Sequence, residues 1–265
     1  VVGKFFSFFG RRRNWTIPYA LFLIFFVVVP LVLIVLYAFS SETDGFSLTN
    51  FRKFLMHPEA MHILIYSIGV AMITTILCLL LGYPAAYILS RMEIGKARLL
   101  VVLFILPMWI NFLIRTLATV ALFGFLKLPL GEGALFFGMV YNFLPFMIYP
   151  IYNILLKTDQ NLIEAAQDLG ANPMQVFLRT VLPLSVPGIS SGIMMVFMPV
   201  ISTFAIAELL TINNIKLFGT TLQENIYNGM WNYGAALSLV MLLLVGIISL
   251  FNKGTTKAVD EGGLI

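Results

Sequence analysis

The sequence predicts an all-α membrane protein of six transmembrane helices, and three observations carry that prediction. Hydrophobic residues make up 60% of the 265 and charged residues 11%, with a mean hydropathy of +0.97. A soluble domain holds about 45–50% apolar and about 25% charged residues. Six apolar runs each reach the roughly 20 residues that cross a hydrocarbon core of about 30 Å. Alternate connecting segments then differ in their Lys and Arg content. Strands of an outer-membrane barrel would show shorter, alternating segments instead.

The first run, Ile17–Phe39, follows Arg11, Arg12 and Arg13. A secretory signal would carry an apolar stretch of about 7–15 residues and a small-residue cleavage site. This run is longer and no such site follows, so it is read as a span. In the loop Ser40–His62, Thr49 or Asn50 is expected to cap a short helix with Phe51, Phe54 and Leu55 on one face. The next spans are Ile63–Leu89, Leu99–Phe123 and Ala134–Leu156. The short connection Gly124–Gly133 makes the third and fourth neighbours. The fifth is Val186–Leu209. A polar segment, Thr211–Asn232, follows, with Tyr227 and Trp231 suited to the headgroup level. The sixth is Tyr233–Phe251, and the tail beyond it shows no periodicity. The expected organisation is a cytoplasmic segment 1–16, a permease-like domain 17–252 with a polar loop 157–185, and a cytoplasmic tail 253–265.

Orientation follows from the basic residues. With the N-terminus inside, the inner segments carry Lys4, Arg11, Arg12, Arg13, Arg91, Lys96, Arg98, Lys157, Arg179, Lys253 and Lys257. The outer ones carry Arg52, Lys53, Lys127 and Lys216, and Arg115 lies within a span. Eleven against four places both termini in the cytoplasm. The net charge of +4 is then a topology signal and does not point to nucleic acid. Cys78, the one cysteine, excludes an intrachain disulfide and a CxxC site. His57 and His62 sit five apart in an outer loop, a poor spacing for a metal pair. No Walker A pattern occurs. The chain is expected to bind no metal or cofactor and to catalyse no reaction itself.

Residues 164–183 read EAAQDLGANPMQVFLRTVLP between two apolar runs. Asn161 followed by Glu164 suits a helix start, and a short helix Leu162–Leu169 is expected. Gly170 suits a left-handed turn. Asn172 and Pro173 restart a helix as N-cap and first residue. Pro183 and Pro187 are expected to break the helical run before the fifth span. Glu164, Ala165, Ala166, Asp168, Gly170, Leu182 and Pro183, so spaced, closely resemble the EAA loop of ABC-importer permeases. Thr180 stands where that family carries Ile. The resemblance implies a type I ABC-importer permease-like bundle with both termini inside. It implies a second homologous permease subunit, two ATP-binding subunits that use ATP and Mg, an extracytoplasmic binding protein, and a location in the bacterial inner membrane. The loop would grip the ATPase.

Leu81–Ala86, Leu106–Arg115 and Phe143–Met147 look like the first permease subunit of spermidine/putrescine importers. Polyamine cargo passing by alternating access is what that resemblance implies. Polar and aromatic residues in the spans supply a candidate path: Asn111, Arg115 and Thr119 on one face, Asn142 and Tyr149 on another, and Phe197, Phe204 and Glu208 on a third. Arg115 does not attract a polycation, whereas a carboxylate beyond aromatic rings does. A Glu208–Arg115 ion pair is the competing arrangement. An importer of another small solute, or an ion-coupled transporter, remains the alternative reading.

Overall fold

A computed structural model describes residues 16–40 and 45–262, and the side chains among them except at 16, 17, 94, 98 and 251–262. The Lys4 and Arg11–Arg13 cluster lies outside the described residues. Among the described residues the regular structure is helical: α1 Thr16–Leu23, α2 Val29–Ala38, α3 Thr49–Met56, α4 Pro58–Arg91, α5 Ile94–Trp109, α6 Phe112–Phe125, α7 Glu132–Lys157, α8 Gln160–Asp168, α9 Pro173–Val176, α10 Leu182–Ser202, α11 Ala205–Thr211, α12 Phe218–Tyr227 and α13 Trp231–Gly262. Five helices are long and apolar enough to cross a membrane, and a bent pair makes a sixth crossing if it counts as one.

Two compact units make up the chain. One runs to His57 and includes Glu224–Leu242; the other holds Pro58–Gln223 and the segment from Leu243 onward. In the first unit, α1 and α2 join through a π-helical turn, Ile24–Val28, just before Pro30. The wider turn leaves room for the proline ring and its missing N–H. The apolar side chains of this span are exposed almost throughout. Neither Thr49 nor Asn50 caps α3. The Asn50 amide instead donates to the Ala38 and Ser40 carbonyls at 3.2 and 3.0 Å. Phe39 stacks between Phe46 and Phe51, with centroids 5.2 and 5.0 Å away.

The core of the second unit is the packing of α4, α7 and α10. Pro58 and Glu59 open α4 and Arg91 closes it, each at the end its charge or geometry suits. Gly188 and Gly192 of α10 lie against the α7 backbone. A Cβ at Gly188 would stand 3.0 Å from the Ile151 Cα, and one at Gly192 2.6 Å from the Met147 sulfur. Where lipid is as apolar as the side chains, such close backbone approach takes over from hydrophobic transfer as the source of cohesion. Met147, Ile148, Ile151, Val196 and Val200 fill the seam, all at most 2% exposed. The Tyr83 and Ser185 hydroxyls add a bond of 3.0 Å between α4 and α10, of a kind that contributes roughly 0.6 kcal/mol on average within membranes.

Several expected spans are redrawn. The third is two helices, α5 and α6, bent by 97°. α5 runs past Pro107 to Trp109, and Ile110 and Asn111 are then extended with ψ of 135° and 131°, where the Asn111 side chain caps α6. The fifth begins earlier and stops at Ser202. Neither Pro183 nor Pro187 interrupts it: a π-helical turn, Phe177–Val181, absorbs the bond lost at Pro183 and joins α9 to α10, and Pro187 lies within α10. Thr203 and Phe204 then separate α10 from α11. The polar segment after it contains α12, tied to α4 where the Phe218 N–H donates to the Ser67 hydroxyl at 2.8 Å. The tail is not irregular to the extent expected: α13 continues to Gly262.

Candidate functional site

Two regions hold the candidate residues. The first is the polar segment from Asp159 to Val181. The Asp159 carboxylate, not Asn161, caps α8 by accepting from the Asn161 N–H at 3.0 Å. Sequence reasoning chose the wrong member of an Asp–Gln–Asn run, and the helix accordingly starts two residues early. Gly170 has φ +84°, the left-handed conformation expected there, and open space around its Cβ position. Asn172 and Gln175 form a full capping box, with bonds of 2.9 and 3.0 Å, and Pro173 opens α9. Glu164, Ala165 and Asp168 are exposed and Ala166 half-buried. Ile163 faces inward at 7% exposed, whereas Leu169 is 90% exposed and Met174 63%. An amphipathic hairpin of two short helices therefore presents alanine, acidic and apolar side chains outward together.

This hairpin is fastened to the spans. The Phe177 ring, in the π-helical turn, meets Tyr83 and Tyr87 of α4 edge-on, with centroids 5.8 and 5.6 Å away. Arg91 lies over the other end of that contact, 5.4 Å from the Tyr87 ring. Leu182 is half-buried and Pro183 exposed at the start of α10. The helical run passes from α9 through the π-helical turn into α10, a core helix, without a break.

The second region is a cavity of about 520 Å³ at the two helix breaks. Ile110 and Asn111 from one break and Thr203 and Phe204 from the other line it, with Arg115, Asn142, Phe143 and Phe146. Of the expected path residues it gathers Asn111, Arg115, Asn142 and Phe204. Asn111 caps α6 through a 2.8 Å bond from the Leu113 N–H, and its carbonyl accepts from the Arg115 N–H at 3.2 Å, so it starts the helix that Arg115 and Thr119 continue, which is shorter than the span expected. Arg115 is 6% exposed and Asn142 1%. Arg115 Nη1 donates to the Asn142 carbonyl at 3.5 Å, a long bond. Arg115 Nε and Asn142 Oδ1 have no partner.

The other expected path residues lie elsewhere. Thr119 is buried and donates to the Arg115 carbonyl at 2.9 Å. Phe197 is buried in α10. Tyr149 lines a separate cavity of about 630 Å³ with Arg91, Tyr152, Asn153 and Gln160. Glu208 is on α11, beyond the break, so Phe197, Ile201 and Glu208 do not form a continuous helical face, and no ion pair joins Glu208 to Arg115. Trp109, Phe143, Phe146 and Ser202 line the first cavity and were not among the expected residues. A signal for Trp109 existed, an aromatic two residues after Pro107 and two before a capping Asn.

Residues 78–261 match the family described as binding-protein-dependent transport system inner membrane component, and the chain belongs to that family. It is a multi-pass inner-membrane protein of ABC-importer type. The spermidine/putrescine transport system permease protein PotB of Haemophilus influenzae is 35% identical over 253 residues, covering 85% of this chain and 87% of the relative. PotB of Escherichia coli is 33% identical over 252 residues, covering 86% and 91%. Among solved structures, a bacterial ABC transporter that imports the polysaccharide alginate matches with a TM-score of 0.71 at 17% identity, over 93% of this chain and 96% of that one. The MetNI methionine transporter matches at 0.61 and 19% identity, over 77% and 99%. At such identities these two speak for the fold alone.

Proposed function

We propose that this chain is the first permease subunit of an ATP-driven polyamine importer and forms half of the path for spermidine and putrescine. The observation that carries the reading is the 33–35% identity to PotB proteins across 85–86% of the chain. Both termini face the cytoplasm. A second permease supplies the other half of the path, and two further subunits hydrolyse ATP with Mg. An extracytoplasmic protein delivers the polyamine. The hairpin α8–α9 docks on an ATPase subunit through Glu164, Ala165, Ala166 and Asp168. Gly170 sets its turn, and Leu182 and Pro183 pass its motion to α10. The breaks at 110–111 and 203–204 give the path two hinges, at which helix segments can rotate without unfolding α7.

The test is uptake of radiolabelled spermidine by proteoliposomes holding the purified complex, its binding protein outside and ATP inside. Saturable, ATP-dependent uptake competed by putrescine is the expected result. A complex that hydrolyses ATP in response to its binding protein but moves no polyamine would overturn the cargo. A different small solute is the second reading, favoured by one observation: a buried arginine lines the cavity and none of its lining residues is acidic.

A further inference from the structure

We propose that the cavity at the helix breaks is a socket for a carboxylate side chain of the second permease subunit, with Arg115 as its anchor. The inference rests on the reading of this chain as one half of a two-permease path.

Arg115 is 94% removed from solvent, taking its 6% exposure as the remainder, and carries a fixed charge. A charge in such a place is paired, hydrogen-bonded or both. Here its one hydrogen bond is the 3.5 Å contact to the Asn142 carbonyl, and Nε has no acceptor. Asn142 Oδ1, buried on the same wall, has no donor. No Asp or Glu lines the cavity, and Glu208 forms no ion pair with Arg115. Within this chain the site is therefore incomplete by one anion.

The surroundings say what kind of anion fits. Trp109 is 86% exposed, Ile110 46%, Phe112 41% and Phe204 38%, and all four line the cavity. Exposed apolar side chains alone would suit lipid; it is the arginine among aromatic rings that matches the make-up of a protein interface centre. A guanidinium pairs with a carboxylate in a planar fork, which uses the Nε donor left free here. A protonated or amide donor beside that carboxylate then completes Asn142 Oδ1. The cargo itself is the wrong occupant: a polyamine is repelled by Arg115. Pairing with a partner carboxylate removes that repulsion and leaves the cavity neutral to a passing polycation. The same charge that argues against polyamine import in the isolated chain becomes compatible with it in the pair.

The experiment uses the co-purified transporter. Wild-type chain that brings down no second membrane subunit would fail the two-permease reading itself. With that subunit present, Arg115→Lys places an amine in the socket. An apolar carbodiimide activates a neighbouring carboxylate, and the amine displaces the urea to form an amide. A cross-link to one Asp or Glu of the second permease is expected in Arg115→Lys and absent in wild type. Arg115→Glu should weaken co-purification of that subunit by roughly a hundredfold to a few thousandfold, as breaking a buried pair does. Exchange of the captured acid for Lys should restore it. An Arg115→Lys complex that assembles but gives no inter-subunit amide would overturn the proposal, whether a lipid phosphate or water fills the site. Co-purification unaffected by Arg115→Glu would overturn it equally.

Discussion

The hairpin α8–α9 and the cavity at the helix breaks are both candidate working parts, yet they are built in opposite ways. Each feature of the hairpin is decided within a few residues: Asp159 caps one helix, Gly170 turns the chain, and the Asn172–Gln175 box starts the next. The cavity exists only because residues far apart in sequence meet, Asn111 and Arg115 from α6 and its cap, Asn142 from α7, and Phe204 after α10. The hairpin caps both of its helices from its own side chains and exposes Leu169 and Met174 while burying Ile163. The cavity buries a charge it does not satisfy. Under the proposed roles, a part that docks on a soluble subunit can be finished alone, whereas half of a membrane path would be finished by assembly.

That contrast is open to attack by substitution. The largest expected effect is at the hairpin turn. Gly170→Val puts a β-branched residue at φ +84°, at a cost of roughly 1–3 kcal/mol. ATP-driven uptake should vanish while the protein remains in the membrane at normal yield. Glu164→Lys should do the same by reversing charge on the exposed face. Full uptake by both variants would detach the hairpin from the mechanism. The next effect is on the seam. Gly192→Val drives a side chain into Met147 and should cost about 1–3 kcal/mol by overpacking. It should lower the melting temperature of the purified complex.

A smaller effect separates fastening from docking. Phe177→Ala removes two edge-on ring contacts, each of a type that contributes about 0.5–1.5 kcal/mol. ATPase subunits should still bind, but hydrolysis should lose part of its coupling to uptake. An unchanged ratio of transport to hydrolysis would remove Phe177 from the transmission path. The smallest effect concerns the caps. Asp159→Ala should destabilise the hairpin by about 1 kcal/mol, read as faster amide exchange in α8, and Asn161→Ala should change it far less. The reverse order would return the cap to Asn161.

The hairpin was legible in the sequence because its determinants are local: glycine at a left-handed position and Asn-Pro at a helix start have few other uses. Helix caps misled where two candidates adjoin, since choosing between Asp159 and Asn161 depends on backbone direction. The spans were legible as apolar runs, but their continuity was not. Pro183 reads as a break in the sequence, yet the π-helical turn before it lets the helix run on. A π turn leaves no residue signature, and the break that does occur, at Ile110 and Asn111, follows a proline the helix passes through. Glu208 and Phe197 were placed on one face by a periodicity that the Thr203–Phe204 break cancels. The short connection Gly124–Gly133 announced that α6 and α7 are neighbours, but not that Arg115 and Asn142 are the residues that meet between them.

The central claim is that the hairpin takes its motion from an ATP-hydrolysing subunit. A Cys78→Ala chain with one cysteine at Gln167, an exposed position between the two acidic residues, gives a single site for a thiol-linked photoreactive probe. Illumination of the assembled complex is predicted to join this chain to its ATPase subunit. The yield should change when ATP is trapped, and an impermeant thiol reagent outside intact cells should not reach the site. No adduct with the ATPase subunit in a complex that still transports, or labelling of that cysteine from outside, would contradict the account.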